Sequence, residues 1–398
     1  MSFYRTPSPL EFSYIATDTP EKSPLVNQFF VTGEGSIDPQ KLQGALNEAA
    51  QINPAFRFRL RGFWGWRYWD DEGPSPLVKE VNAPDWDSSS SYQAPCLGDP
   101  INPRKDPVCQ VCIIHAKNGY HVLFRTHHAV SDGRGTVHFI QDVFRILRGE
   151  QPIGSHSKIT EWDVAQSNER PARPITEGDC IPLVKGSLDP DRLGYQWIRF
   201  SWQGSTNKFA AKLLSATSSL GREMYGDGKV IVRIPADLRR YIEPDETFTT
   251  ANCSGAIDLE IEPDLPVNKL QSKIIRAMRN KEDLSPFLDN HKYARWVPRA
   301  MMLQHPKNLR QNHVDQRYRM SGIISYLGEV DNSLFQCEGF KPTSQFGIPI
   351  PFENRSLFVG AAENDGSVDI IVGCPKALLT EAEIKSYSEK LAERLNSF

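Results

Sequence analysis

VCQVCIIHAKNGYHVLFRTHHAVSDGRG, running from Val108 to Gly135, is the stretch on which the reading of the whole chain turns. Val108–Ile114 and Tyr120–Thr126 are apolar, β-prone runs, and Asn118-Gly119 between them tolerates positive φ, a strong short-range signal for a hairpin. Two antiparallel strands are predicted. After the second comes His127-His128-Ala129-Val130-Ser131-Asp132-Gly133, and through Thr136–Leu147 the residues Val137, Ile140, Val143, Phe144 and Leu147 recur at helical spacing. The histidines therefore stand in a loop between strand and helix, a rigidly mounted position where reactive groups are often displayed.

Adjacent residues of a strand face opposite ways. His128 continues the face of Tyr120, Val122, Phe124 and Thr126, and His127 that of His121, Leu123 and Arg125, so a paired-histidine metal site is disfavoured and no metal is expected. A neutral imidazole titrates near neutrality and can take a proton from an attacking amine or hydroxyl, which makes His128 the candidate base. Asp132 could orient the imidazole, or pair with an arginine and hold the loop; the structural role is preferred. Gly133 suits a sharp entry into the helix where a side chain would obstruct a substrate. With nine histidines in 398 residues, a packed and hydrogen-bonded strand end is the plain alternative for the pair.

Outward from this centre, Pro39–Ala50 carries Leu42, Ala45, Leu46 and Ala49 on one helical face, with Asp38 placed to cap it. Phe56–Arg61 alternates apolar and basic residues and reads as a half-buried strand, extended by Trp64, Trp66, Tyr68 and Trp69. Residues 82–106 read as a surface connection. Pro and Gly between Gln166 and Leu188 mark a linker, dividing the chain into 1–175 and 176–398. The second part should hold a helix at Asn207–Ser219, strands at Lys229–Ile234, Cys253–Ile261, Gly322–Leu327, Ser356–Ala362 and Val368–Cys374, and a closing helix at Thr380–Leu395 with capping-box spacing. The class is α+β, or α/β in loose usage.

Composition narrows the function. A net charge of −3, from 46 basic and 49 acidic residues, gives no general attraction to polyanions, so nucleic acid is not expected as a partner. No apolar run is long enough for a membrane span, and Met1–Leu10 lacks the pattern of a secretory signal, so the expected location is cytoplasmic. Seven scattered cysteines read as reduced thiols, with Cys109 and Cys112 on opposite strand faces. The Phe63–Trp69 aromatics read as strand packing. Arg57, Arg59 and Arg61 form a basic row, either a solvated face or a contact for a phosphate. No nucleophile elbow and no phosphate-binding fingerprint is present.

The motif His127–Gly133, as HHxxxDG, resembles the condensation-domain, chloramphenicol-acetyltransferase-like acyltransferase superfamily, which includes stand-alone condensation enzymes, polyketide-associated acyltransferases and BAHD acyltransferases. Leu42–Leu60 is similar to the family's helix and following strand. Ile234–Arg239 is similar to its "VDLR" strand end, Ala251–Ala256 to its "GNxxG" strand, and Ile324–Gly328 to its "SNLG" strand, with Tyr326 in place of asparagine. The BAHD element "DFGWG" has no match. The resemblance implies two acetyltransferase-like lobes in a V with a substrate tunnel between them, His128 as catalytic base, and His127, Asp132 and Gly133 as structural members of the motif, Asp132 facing Arg239. It points to Ser325, Tyr326 and Asn252 as substrate-binding candidates. It implies no tightly bound cofactor. The co-substrate would be acyl-coenzyme A or a phosphopantetheine-linked acyl group, in some cases on a carrier protein, with a small amine or alcohol as acceptor and the chain acting as a monomer in secondary metabolism. The alternative is a non-catalytic scaffold of the same fold that docks a carrier protein or other partner.

Overall fold

The computed structural model describes all residues except 1–2, 19–23, 173–177, 193, 244–247, 288, 299–311, 351 and 353. Its first part contains β1 (Tyr4–Arg5), α1 (Pro9–Thr17), β2 (Val26–Gly35), α2 (Pro39–Ile52), β3 (Arg59–Arg61), β4 (Tyr68–Asp70), β5 (Leu77–Ala83), β6 (Cys109–Ala116), β7 (Gly119–His127), α3 (Gly133–Leu147) and α4 (Glu161–Ser167). There follow β8 (Tyr195–Trp202), α5 (Phe209–Tyr225), β9 (Ile231–Asp237), β10 (Ser254–Glu260), α6 (Val267–Arg279), β11 (Gly322–Glu329), β12 (Phe340–Ile348), β13 (Leu357–Asn364), β14 (Ser367–Pro375) and α7 (Glu381–Leu395).

Two mixed sheets organise these elements, one of five strands in the order β12-β2-β7-β6-β5 and one of six in the order β10-β9-β11-β13-β14-β8. The predicted hairpin forms, with His115 opposite Tyr120 and Ala116 opposite Gly119. The tight turn is one residue earlier than expected: Gly119 supplies the positive φ of +142°, and Asn118 does not. Tyr120, Val122 and Phe124 face a core completed by Phe139, Ile140, Val143 and Phe144 of α3 and by Leu42, Leu46 and Ala49 of α2. The second core lies between the six-stranded sheet and α5, α6 and α7.

Strand β12 belongs to the second part of the chain yet pairs antiparallel with β2, Phe346 opposite Phe30. The neighbouring strands β11 and β13 pair with each other in the six-stranded sheet. A third cluster, including Phe30, Leu123, Trp197, Phe346 and Ile371, fills the seam between the sheets. Arg199 clamps that seam, with its guanidinium on Asp369 at 2.9 Å and over the Phe346 ring at 4.0 Å. The division expected at 175/176 falls within the undescribed 173–177, and β12 shows that the chain crosses between the sheets again after it.

Several local expectations differ from the structure. Phe56–Arg61 is not one strand: Pro54–Arg57 is a 3-10 turn that buries Phe56, and only Arg59–Arg61 pairs, in a small sheet with β4 and β1. Pro54 presets the helical φ of that turn, and the alternation of Phe with Arg serves turn and strand alike. Trp64–Trp66 forms a second 3-10 turn in which Trp64 and Trp66 remain exposed. Strands β1, β2, β5, β8 and β12 and helices α1, α4 and α6 stand where none was predicted. Cys96 and Cys112 are joined in a disulfide, against the expectation of reduced thiols throughout. Cys109, three residues from Cys112, packs on the other face of β6, as strand geometry requires. Among the described residues no helix is long and apolar enough to cross a membrane.

Candidate active site

Strand β7 ends at His127, and the turn to α3 is held at both backbone ends. His127 N–H donates to the Val108 carbonyl (2.9 Å) and His128 N–H to the Leu25 carbonyl (3.0 Å). Asp132 then caps α3, accepting from Gly135 N–H at 2.8 Å. The same carboxylate receives Arg239 bidentately at 2.9 and 3.1 Å, Cys253 N–H at 2.8 Å and the Ser254 hydroxyl at 3.1 Å. Burial opposes its ionisation, but Arg239 and these donors hold its carboxyl below the ordinary carboxylate range. Arg239 also donates to the Thr249 and Ala251 carbonyls, so one ion pair locks the motif loop to the second sheet.

The two histidines have different surroundings. His127 is fully buried. Its Nδ1 accepts from Ala129 N–H at 3.1 Å, and its Nε2 lies 3.5 Å from Asp18 Oδ2. His128 places Nδ1 3.2 Å from the Ser131 carbonyl, which can only accept, so Nδ1 carries the proton and Nε2 the lone pair. Asn27 Nδ2 fixes that carbonyl from the other side at 2.6 Å. No hydrogen bond reaches His128 Nε2 among the described residues. Burial pulls the imidazole down to about 4, while the Ser131 carbonyl and Asp132 push the other way, so the ring is neutral at pH 7. That is the protonation state a base requires.

Above the imidazole lies Tyr14 of α1, its ring stacked at a centroid distance of 4.2 Å and 21° from parallel. Beneath α1, Glu161 opens α4 fully buried, with Oε1 accepting from Leu10 N–H at 3.2 Å and Oε2 without a partner. Burial, and then the nearby Glu11 carboxylate, raise Glu161 to about 8, so it is protonated at neutral pH. Neither Tyr14 nor Glu161 was singled out in the sequence. The capping box of Ser8 and Glu11 signals helix α1, but the contact of Tyr14 with His128 has no local signature.

The remaining candidates divide. Asn252 is fully buried and donates to the His128 carbonyl at 2.5 Å, leaving Oδ1 unpartnered; its own carbonyl accepts from Glu161 N–H. It braces the histidine loop. Gly133 has an ordinary φ, and a Cβ there would meet nothing within 4 Å. The glycine that close approach demands is Gly135, where a Cβ would collide with the Thr250 carbonyl oxygen. Tyr326 is turned away from His128: its hydroxyl donates to Glu363 at 3.1 Å and its ring packs on Phe209 of α5. Strand alternation puts Ser325 on the opposite face from Tyr326.

His128 itself is only 5 % exposed. A cavity of about 570 Å³ lies elsewhere, among Ile37, Lys41, Glu80, His115, Tyr120 and Glu338. Among the described residues no group of three or more His, Cys, Asp or Glu side chains is placed to hold a metal.

Residues 14–169 match the family model described as Condensation domain. The entire length from α1 to α7 follows solved structures of that kind. The condensation domain of the Monacolin K polyketide synthase MokA aligns over 99 % of this chain and 97 % of its own, with a TM-score of 0.63 at 11 % identity. The chain has the condensation-domain fold. A mutant starter condensation domain of rhizomide synthetase RzmA, in complex with C8-CoA, aligns over 99 % and 94 % with a TM-score of 0.69 at 12 % identity. The epimerization domain from the third module of tyrocidine synthetase B aligns over 100 % and 96 % with a TM-score of 0.60 at 13 % identity. No curated protein matches the sequence. The two-lobed architecture that HHxxxDG suggested is thus the architecture of the condensation-domain fold, with His128 in the turn that leaves β7.

Proposed function

We propose that this chain is an acyltransferase of the condensation type, transferring an acyl group from a thioester to an amine or hydroxyl acceptor, with His128 as general base. The observation that carries the reading is the imidazole's state: neutral, its Nδ1 proton committed to the Ser131 carbonyl, its Nε2 lone pair unclaimed among the described residues. The acceptor N–H or O–H would give its proton to Nε2 while attacking the thioester carbonyl carbon, and the departing thiolate would take that proton back. Holding both guests against one base converts a bimolecular step into a unimolecular one, the larger part of what such a site can contribute.

Within this reading His127, Asp132 and Arg239 keep the loop in shape, Gly135 lets it approach the Thr250 carbonyl, and Asn252 braces the His128 carbonyl. Ser325 is a candidate substrate contact on β11. The donor is acyl-coenzyme A or a phosphopantetheine-linked acyl group, and the binding of C8-CoA by the RzmA domain supports the first. The lobes divide near residue 175, the protein works as a cytoplasmic monomer, and its product belongs to natural-product biosynthesis, an amide before an ester.

The low exposure of His128 under Tyr14 favours a second reading, a scaffold that keeps the fold without turnover. Intact-mass detection of acyl transfer, from octanoyl-coenzyme A and octanoyl carrier protein to a panel of amines and alcohols, separates the two. Transfer by the wild type that is lost in His128→Ala supports catalysis; wild-type turnover in that variant removes His128 from the mechanism.

A further inference from the structure

We infer that Tyr14 is a second catalytic residue, whose hydroxyl donates a hydrogen bond to the thioester carbonyl oxygen as negative charge develops on it. The inference rests on the acyl-transfer reading above and adds the group that reading lacks, a donor for the oxyanion.

Stacking fixes the geometry. Tyr14 covers a face of the imidazole, whereas the Nε2 lone pair lies in the ring plane, so the phenol sits over the base without blocking the atom that accepts the proton. Helix α1 is anchored to hold it there. Ser8 and Glu11 form a capping box, Glu11 is paired with Arg5 at 2.6 and 2.7 Å, and Trp69 Nε1 donates to Glu11 at 3.2 Å. The Tyr14 hydroxyl itself has no hydrogen-bond partner among the described residues, which leaves its proton free for a guest.

The charges around the phenol suit a donor. Burial, then Glu161 and Asp132, raise Tyr14 above its ordinary value, while Arg233 of β9 acts in the opposite sense, so the hydroxyl keeps its proton. Glu161 is itself protonated at pH 7, and Asp132 is neutralised by Arg239, so neither presents an unscreened negative charge to an oxyanion. In the step, the acceptor nitrogen or oxygen bonds to the carbonyl carbon and its proton passes to His128 Nε2. The carbonyl π pair moves onto oxygen and is held by the Tyr14 O–H, with no proton transferred from the phenol. Collapse re-forms the carbonyl and breaks the C–S bond, and the thiolate takes the proton from Nε2.

Tyr14→Phe keeps the stack and removes only the donor, and its thermal unfolding checks that the variant folds. With octanoyl-coenzyme A and the amine and alcohol panel, we expect kcat to fall about 100-fold with KM within about threefold, as for loss of one oxyanion donor. The acid limb of the pH profile, set by His128, should not move. If His128→Ala is inactive while Tyr14→Phe keeps kcat within about threefold of wild type, the inference is overturned and the base assignment stands. If His128→Ala is fully active, or the wild type transfers no acyl group to any acceptor, both fall together.

Discussion

Replacing Glu161 by glutamine should make the protein more stable in alkaline solution, and the size of the effect follows from where the carboxyl sits. Glu161 is fully buried, one oxygen takes a backbone N–H from α1, the other has no partner, and the pair of Arg5 and Glu11 lies close by. Its raised value of about 8, against an ordinary 4.5, means that the native state holds a proton the unfolded chain releases above pH 4.5. Native protein therefore binds more protons than unfolded protein between about pH 4.5 and 8, and stability falls as pH rises through that window. At about 1.4 kcal/mol per pH unit the total is on the order of 3–5 kcal/mol. Glutamine keeps the acceptor for Leu10 N–H and cannot ionise, so Glu161→Gln should remove this loss. Urea unfolding of both proteins at each pH from 5 to 9 gives two free-energy curves. Their difference should widen with pH and level off above 8, and every other titrating group cancels in it. Parallel curves would refute the reasoning, by showing that the carboxyl ionises as readily in the fold as outside it.

Other outcomes follow from the same geometry. Arg239→Leu leaves a buried Asp132 without its partner and should cost about 3–5 kcal/mol in urea unfolding, with most activity lost. The acid limb of kcat/KM should lie near pH 4 and not 6.5, because burial holds His128 neutral down to that value; a limb at 6.5 would mean that another group titrates. Gly135→Ala should be strongly destabilising in thermal unfolding through collision with the Thr250 carbonyl, whereas Gly133→Ala should leave the melting temperature within a few degrees of wild type. Tyr326→Phe should cost about 1 kcal/mol through its bond to Glu363 and leave kcat unchanged; a kcat loss of tenfold or more would return Tyr326 to the site.

What the sequence disclosed was what neighbouring residues decide. The hairpin, the strand-to-helix placement of HHxxxDG, the α2 face and the capping box of α7 are encoded within a few residues and can be read from period and turn chemistry. The different surroundings of His127 and His128 were legible for the same reason, since strand alternation is local. The cover on His128 was hidden because Tyr14 reaches it from the far end of the sequence, and Glu161 meets Leu10 across 151 positions. Strand β12 was hidden too, because FKPTSQFGI carries Pro342, Thr343, Ser344 and Gln345 where a buried strand would show apolar residues. Tyr326 was named for its place in a motif, whereas its contacts with Glu363 and Phe209 are made to residues far from it in the sequence.

The pairing of β12 with β2 also bears on how the molecule is made. Ribosomal synthesis delivers Phe340–Ile348 long after Val26–Gly35, so one edge of the first sheet must wait for all the elements between them before it gains its neighbour. During that interval an apolar strand edge is open to wrong partners, and folding cannot finish lobe by lobe as each emerges. Strand β12 is then a closing stitch, and a chain released before it would carry a loose seam in the sheet that holds the histidines.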